Sequence, residues 1–250
     1  MYNSKILVGC VVLLYVFFAF FEVLGEYNLA YHLDSLIIPL ITVIYFLFVK
    51  NKSILFMLFL VLYSVSDLLG IAVRDVLVNN SAYSHDHIIF EYDYYIGSIL
   101  YILAYLFLFF KIASSLSFIH VIKHYKIHLL VLSILNVYLV YVLQVIVEPN
   151  IYYEYEYAVE LVYNIVMLSV LSSALLNYFY RDNKKSFYLF IGSLCLVFSE
   201  VIDIAFIYLS ERSLLNILGT SLALGAFYFF YQQSKLLNEE NGEKNYMVLD

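Results

Sequence analysis

Eight apolar segments of bilayer-spanning character fix the class of structure that this chain can adopt. They run approximately from Ile6 to Leu24, Leu36 to Val49, Ile54 to Val73, Tyr95 to Ile112, Ile127 to Val147, Tyr157 to Tyr178, Phe187 to Leu209 and Leu214 to Tyr231. A hydrocarbon core takes roughly 20 residues of helix, and backbone facing lipid must satisfy its own hydrogen bonds. Hydrophobic residues make up 64% of the chain and charged residues 13%, with a mean hydropathy of +0.87. The expected fold is therefore all-α and polytopic, an eight-helix transmembrane bundle over residues 1–237 with a short polar tail at 238–250. The second segment is short, and Pro39 stands near its start, where a helix accommodates proline best.

The connecting loops alternate in charge. Lys5, Lys50, Lys52, Lys111, Lys123, Lys126, Arg181, Lys184, Lys185, Lys235 and Lys244 fall on one side of the eight-span arrangement, and only Arg74 and Arg212 on the other. That bias places both termini in the cytoplasm, and the short loops and AT-biased residue usage point to a bacterial inner membrane. The outward loops carry acids, among them Glu26, Asp34, Asp75, Asp86, Glu91, Asp93, Glu148, Glu154 and Glu156. The tyrosines of 152–157 read as a headgroup belt. The net charge of −7 says little about partners, because the acids are spread over loops and spans; without a basic footprint nucleic acid is not expected, and membrane lipids are the expected partners. Cys10 and Cys195 each lie inside an apolar segment, so they read as buried thiols rather than a disulfide. Leu7-Val8-Gly9-Cys10 has the outline of a lipobox, but the apolar run follows the cysteine, as in a retained first span.

No segment is long enough for a soluble catalytic domain, so any chemistry must sit within the bundle. Two matching stretches stand out there: Ser66-Asp67-Leu68-Leu69-Gly70-Ile71-Ala72 in the third span and Ser199-Glu200-Val201-Ile202-Asp203-Ile204-Ala205 in the seventh. An acid at the centre of an apolar helix costs roughly 2.5–3.5 kcal/mol on insertion scales and marks a functional site by default. Asp67 lies 13 residues after Ile54, and Glu200 lies 13 residues after Phe187. At 1.5 Å per residue both reach the same depth, about 20 Å from the cytoplasmic edge. Asp203 shares the Glu200 face one turn further out. The four-span offset between the repeats points to two four-helix halves in parallel orientation.

Facing one another, Asp67 and Glu200 would titrate as a unit and offer one acid and one base. Shared hydrogen bonding between helices is the structural alternative. Asn164 in the sixth span and Arg74 beyond Asp67 are candidate binding groups, beside Ser66 and Ser199. Arg74 could hold a lipid phosphate or snorkel to the interface. The histidines of His85-Asp86-His87, near Glu91 and Asp93, and of His120, His124 and His128 have spacings that metals tolerate, but hydrophilic-loop and interfacial readings are better. No metal or other cofactor is expected, and no phosphate loop, nucleophile elbow or zinc-protease motif occurs.

The eight spans, Ile38-Pro39-Leu40, Tyr63-Ser64-Val65-Ser66-Asp67 and Phe198-Ser199-Glu200 resemble the YhhN/lysoplasmalogenase-like family. The resemblance covers most of the chain in layout and these motifs in detail. It implies intramembrane acids in spans three and seven and hydrolysis of the vinyl-ether bond of a single-chain phospholipid, releasing a fatty aldehyde. This chain departs from the family pattern at four places. Ile38 stands where a Lys precedes the proline, Ser66 where a Gly precedes the acid, Glu200 where an Asp is usual, and Tyr105 where a His is common. The resulting expectation is a divergent hydrolase with Asp67, Glu200 and Asp203 as its carboxyl groups, and with Arg74, Asn164, Ser66 and Ser199 around the substrate. The alternative is a lipid- or ion-binding bundle, or a proton-coupled carrier, that uses the same acids.

Overall fold

A computed structural model of the chain describes residues 2–50, 52–79 and 87–236. Ten α-helices account for nearly all of them: α1 Tyr2–Leu24, α2 Tyr27–Ser35, α3 Ile37–Phe48, α4 Ile54–Asn79, α5 His87–Ala113, α6 Phe118–His124, α7 Lys126–Val147, α8 Glu156–Arg181, α9 Lys184–Tyr208 and α10 Ser213–Lys235. A single 3-10 turn, Glu148–Asn150, follows α7, and no strand occurs among the described residues. Eight stretches are long and apolar enough to cross a membrane, and they coincide in order with the eight segments read from the sequence. The protein is an all-α polytopic membrane bundle.

Two boundaries differ from expectation for physical reasons. The second crossing is α2 and α3 joined end to end, so it begins at Tyr27 rather than Leu36. Pro39 has no N–H for the Ser35 carbonyl, and its ring crowds that carbonyl, so the helix is interrupted at Leu36. The Leu40 N–H still reaches the Leu36 carbonyl at 3.2 Å, which restarts the ladder. The fourth crossing, Ile88–Ala113, belongs to α5, which begins at His87, so Glu91 and Asp93 are helical residues, not loop residues. Asp34 likewise belongs to α2. In both cases polar and aromatic residues carry a helix beyond the apolar run, where tertiary contacts hold it. His85 and Asp86 lie outside the described residues, as does the tail at 238–250.

Turns at the helix ends follow local chemistry. Gly25 adopts φ 82° between α1 and α2, a conformation open to glycine. Asp182 takes the left-handed conformation at the end of α8, with its N–H on the Tyr178 carbonyl at 2.8 Å. Asn183 then opens α9 with a capping box, accepting from the Ser186 N–H at 2.8 Å. The two-residue connection, Asp182 and Asn183, makes α8 and α9 an antiparallel pair.

The main core runs through α3, α4, α5, α8, α9 and α10, with Phe56, Phe59, Phe227 and Phe230 in mutual ring contact. A second cluster joins α7, α8 and α9 around Met167 and Leu168. Between apolar helices in lipid, hydrogen bonds and close packing replace the hydrophobic effect as the cohesive force. Thr42 and Ser64 bond at 2.7 Å across α3 and α4, and Tyr15 and Ser221 at 2.6 Å across α1 and α10. Asn136 and Ser172 tie α7 to α8. Large apolar side chains such as Leu13, Val16, Leu130 and Ile134 are exposed along α1 and α7, as lipid-facing surfaces require.

Candidate functional site

The two acidic repeats meet in one cavity. Its volume is about 520 Å³, and six helices line it: Tyr31, Asp34 and Ser35 from α2, Ile37 and Ile38 from α3, Tyr63, Ser66, Asp67 and Gly70 from α4, Asp93, Tyr94, Gly97, Ser98 and Tyr101 from α5, Ser199, Glu200, Asp203 and Ile207 from α9, and Thr220 and Ala223 from α10. Asp67 and Glu200 thus face a common space from opposite halves of the chain. Asp203 joins them because three helical positions past Glu200 returns to the same face. Asp34 and Asp93 complete a set of five carboxyl side chains, and no Lys, Arg or His is among the described lining residues.

Tyrosines hold the carboxyl groups. Glu200 accepts hydrogen bonds from Tyr105 and Tyr63 on Oε1, the latter at 3.1 Å, and from Tyr163 on Oε2. Those donors come from α5, α4 and α8, so three helices fix one side chain of a fourth. Tyr101 donates to Asp67 Oδ1. The Tyr63 and Tyr101 rings meet edge to face at 4.8 Å, which places the donors of the two carboxyls in direct contact. Thr220 donates to Asp34 at 3.0 Å and so binds α10 to α2.

Small residues make room for these groups. A Cβ on Gly219 would lie 2.2 Å from Asp203 Oδ1, and one on Gly70 would lie 2.5 Å from the Tyr31 hydroxyl. Ser199 donates to the Gly219 carbonyl at 2.8 Å, and Ser66 to the Gly97 carbonyl at 3.2 Å. Both repeat serines therefore bind helix to helix at the cavity wall while remaining part of its lining.

The remaining sequence candidates are placed differently. Arg74 does not line the cavity; its guanidinium stacks on the Tyr31 ring, 4.4 Å from the centroid, beside the wall that Tyr31 forms. Asn164 is fully buried at 0% exposure, yet it lies outside the lining, and neither its amide oxygen nor its nitrogen has a partner. Its neighbour Tyr163 is the α8 residue that reaches the site. His120 and His124 stack at 4.1 Å on α6, whereas His128 lies in the first turn of α7 beyond the break at Tyr125 and contacts Phe179. The three histidines thus do not form one helical face. No group of three or more His, Cys, Asp or Glu among the described residues is placed to hold a metal ion.

All four positions at which the sequence departs from the resemblance lie at this site: Ile38, Ser66 and Glu200 line the cavity, and Tyr105 donates to Glu200. Tyr105, with 0% exposure, donates to Glu200, so the position still serves the acid with a polar hydrogen. Ile38 lines the cavity at 6% exposure, so its side chain closes the wall where a lysine would introduce a charge. The residues that sequence reasoning passed over are Asp34, Asp93, Tyr101, Tyr163 and Thr220. For the tyrosines a signal existed: Tyr63, Tyr101, Tyr105 and Tyr163 all lie inside apolar segments, well away from the helix ends where interfacial tyrosines sit. For Asp34 and Asp93 none did, because a helix extended by tertiary packing looks like a loop in hydropathy.

No known protein family, curated protein or solved structure matches this chain. The cavity has to be interpreted from its own chemistry. It combines carboxyl groups that can give or take a proton, phenols that orient them, and walls of apolar helix that limit water.

Proposed function

We propose that this protein is an integral membrane hydrolase of the lysoplasmalogenase type, acting on a single-chain vinyl-ether phospholipid through Asp67, Glu200 and Asp203. The observation that carries the reading is the convergence of the span-three and span-seven carboxyls on one cavity. Vinyl-ether cleavage begins with proton transfer from an acid to the alkene carbon remote from oxygen. The resulting oxocarbenium ion takes up water at the carbon bonded to oxygen, and the hemiacetal collapses to a fatty aldehyde and a free glycerol hydroxyl. One water is consumed, and the proton donated at the start is returned when the added water is deprotonated. A carboxyl pair supplies both functions.

The cavity suits the charge that develops. An oxocarbenium ion is cationic, and anionic side chains with no competing cation favour its formation. Asp67, with a single tyrosine donor on Oδ1 among the described residues, is the freer of the two main acids and the better proton donor to substrate. Glu200, held on both oxygens, is suited to stabilising charge and orienting water. Arg74 on the Tyr31 ring would meet a phosphate at the rim rather than beside the reacting carbons.

A second reading, a cation- or proton-binding carrier, is favoured by the same five carboxyls in a lining whose described residues include no Lys, Arg or His. Purified protein given a lysoplasmalogen and a matched ester lysolipid separates the two. The hydrolase reading expects aldehyde from the vinyl ether and nothing comparable from the ester. Failure to release aldehyde, from folded protein that binds cations with Asp67→Asn and Glu200→Gln sensitivity, would overturn it in favour of the carrier.

A further inference from the structure

A second cavity, of about 880 Å³, opens at the other end of the bundle. Its lining inverts the chemistry of the first. Lys50, Lys52, Lys111, Arg181 and Lys185 contribute to it, and no Asp or Glu is among the described lining residues. We propose that it is a binding site for a phosphate-bearing anion, separate from the acidic cavity and independent of the hydrolase reading.

Basic residues at one face of a membrane protein commonly do no more than set topology, their heads snorkelling outward into water. Lys111, Arg181 and Lys185 do the opposite. Lys111 lies over the Phe56 ring at 4.4 Å and donates to Gln233 at 3.1 Å, so its stem turns into the bundle and its ammonium faces the cavity. Arg181 folds across the α8 end onto the Ser115 carbonyl, with Nη2 at 2.8 Å and Nε at 3.3 Å. Lys185 reaches the Leu236 carbonyl at 2.9 Å from the start of α9. Ser115 in turn donates to Asn177 at 2.9 Å, and Ser114, Ser186 and Ser234 add hydroxyls to the wall.

Cations drawn from four separate parts of the fold therefore converge on one polar space. Gathering them costs repulsion that a bound dianion would relieve, and fixed donors in a concave site make a phosphate a better fit than chloride. The volume lies in the range of small-molecule sites. A lipid headgroup entering from the membrane and a free phosphate entering from water present the same group, and either would be held alike.

Full-length protein in nanodiscs distinguishes the sources. Binding of inorganic phosphate is titrated calorimetrically in phosphatidylcholine discs, and retention of phosphatidylglycerol is read by native mass spectrometry from mixed discs. Saturable phosphate binding supports a soluble ligand, and retained phosphatidylglycerol without phosphate binding supports a headgroup. Arg181→Gln and Lys111→Gln should each weaken binding at least about tenfold, the loss of one charge-assisted contact. Because Lys111→Gln also removes a partly buried hydrogen bond between α5 and α10, the exposed pair Lys50→Gln/Lys52→Gln provides a variant with little demand on the fold. Lys123→Gln/Lys126→Gln, exposed and outside the lining, should leave binding unchanged. Absence of binding from both titrations, or equal weakening by the Lys123/Lys126 pair, would overturn the proposal.

Discussion

Three phenols on Glu200 hold its carboxyl group in one orientation, and that orientation is open to test residue by residue. Removing one hydroxyl with Tyr63→Phe, Tyr105→Phe or Tyr163→Phe keeps the ring packing and deletes one hydrogen bond to a carboxyl group that the hydrolase reading requires to be charged when it stabilises the oxocarbenium ion. Such a bond is worth roughly 1.5–3 kcal/mol, so each variant should lose about ten- to a hundredfold in kcat with little change in KM. A rise in KM alone would show that the tyrosines only shape the pocket. Gly219 gives a second residue-scale prediction. Gly219→Ala drives a methyl into Asp203, which must rotate or push α9 from α10, at a cost of about 1–3 kcal/mol. Gly225→Ala on the same helix meets only Cys195 Sγ at 4.0 Å and should be neutral, so thermal unfolding of the pair isolates the effect of the clash.

At the scale of elements, the break between α2 and α3 decides where Tyr31 and Asp34 point. Pro39→Ala restores the missing N–H and permits one continuous helix, which would rotate α2 relative to α3 and move Asp34 away from Thr220. Turnover should fall while the melting temperature holds or rises; unchanged turnover would mean that α2 contributes nothing to the site. Ile38→Lys, one residue earlier, puts an ammonium among five carboxyls, where it competes with a cationic intermediate for their charge. It should lower turnover of the vinyl-ether substrate, and a raised rate would show that a phosphate is seated inside this cavity rather than at its rim. Much of the site was legible from the repeats, since equal offsets put Asp67 and Glu200 at one depth and the helical period placed Asp203 beside them. Asn164 shows the limit of that logic: depth gives the level of a residue but not its rotation about the helix axis, and Tyr163 faces the acids instead. Asp34 and Asp93 were hidden because their helices continue past the apolar run.

For the whole molecule, the number, order and loop polarity of the spans follow from hydropathy and charge, which is why the bundle was readable before any coordinates. Which helices meet was not, because lipid-facing and partner-facing sides of a membrane helix are both apolar. The outcome is a bundle with an acidic cavity at one end and a basic cavity at the other. If the basic end is cytoplasmic, a cysteine introduced at exposed Lys126 should react with an impermeant thiol reagent only in inside-out vesicles, and one at exposed Leu214 only in right-side-out vesicles. Labelling in the reverse sense would invert the topology.

The central claim is that two carboxyls from distant parts of the sequence act on one substrate in one cavity. Its most direct test is aldehyde release from a lysoplasmalogen by wild type, Asp67→Asn, Glu200→Gln and the double variant. Groups that act as a unit are non-additive, so each single variant should lose nearly all turnover and the double should be no worse than either. Substantial turnover by either single variant, or losses that multiply in the double, would contradict the account.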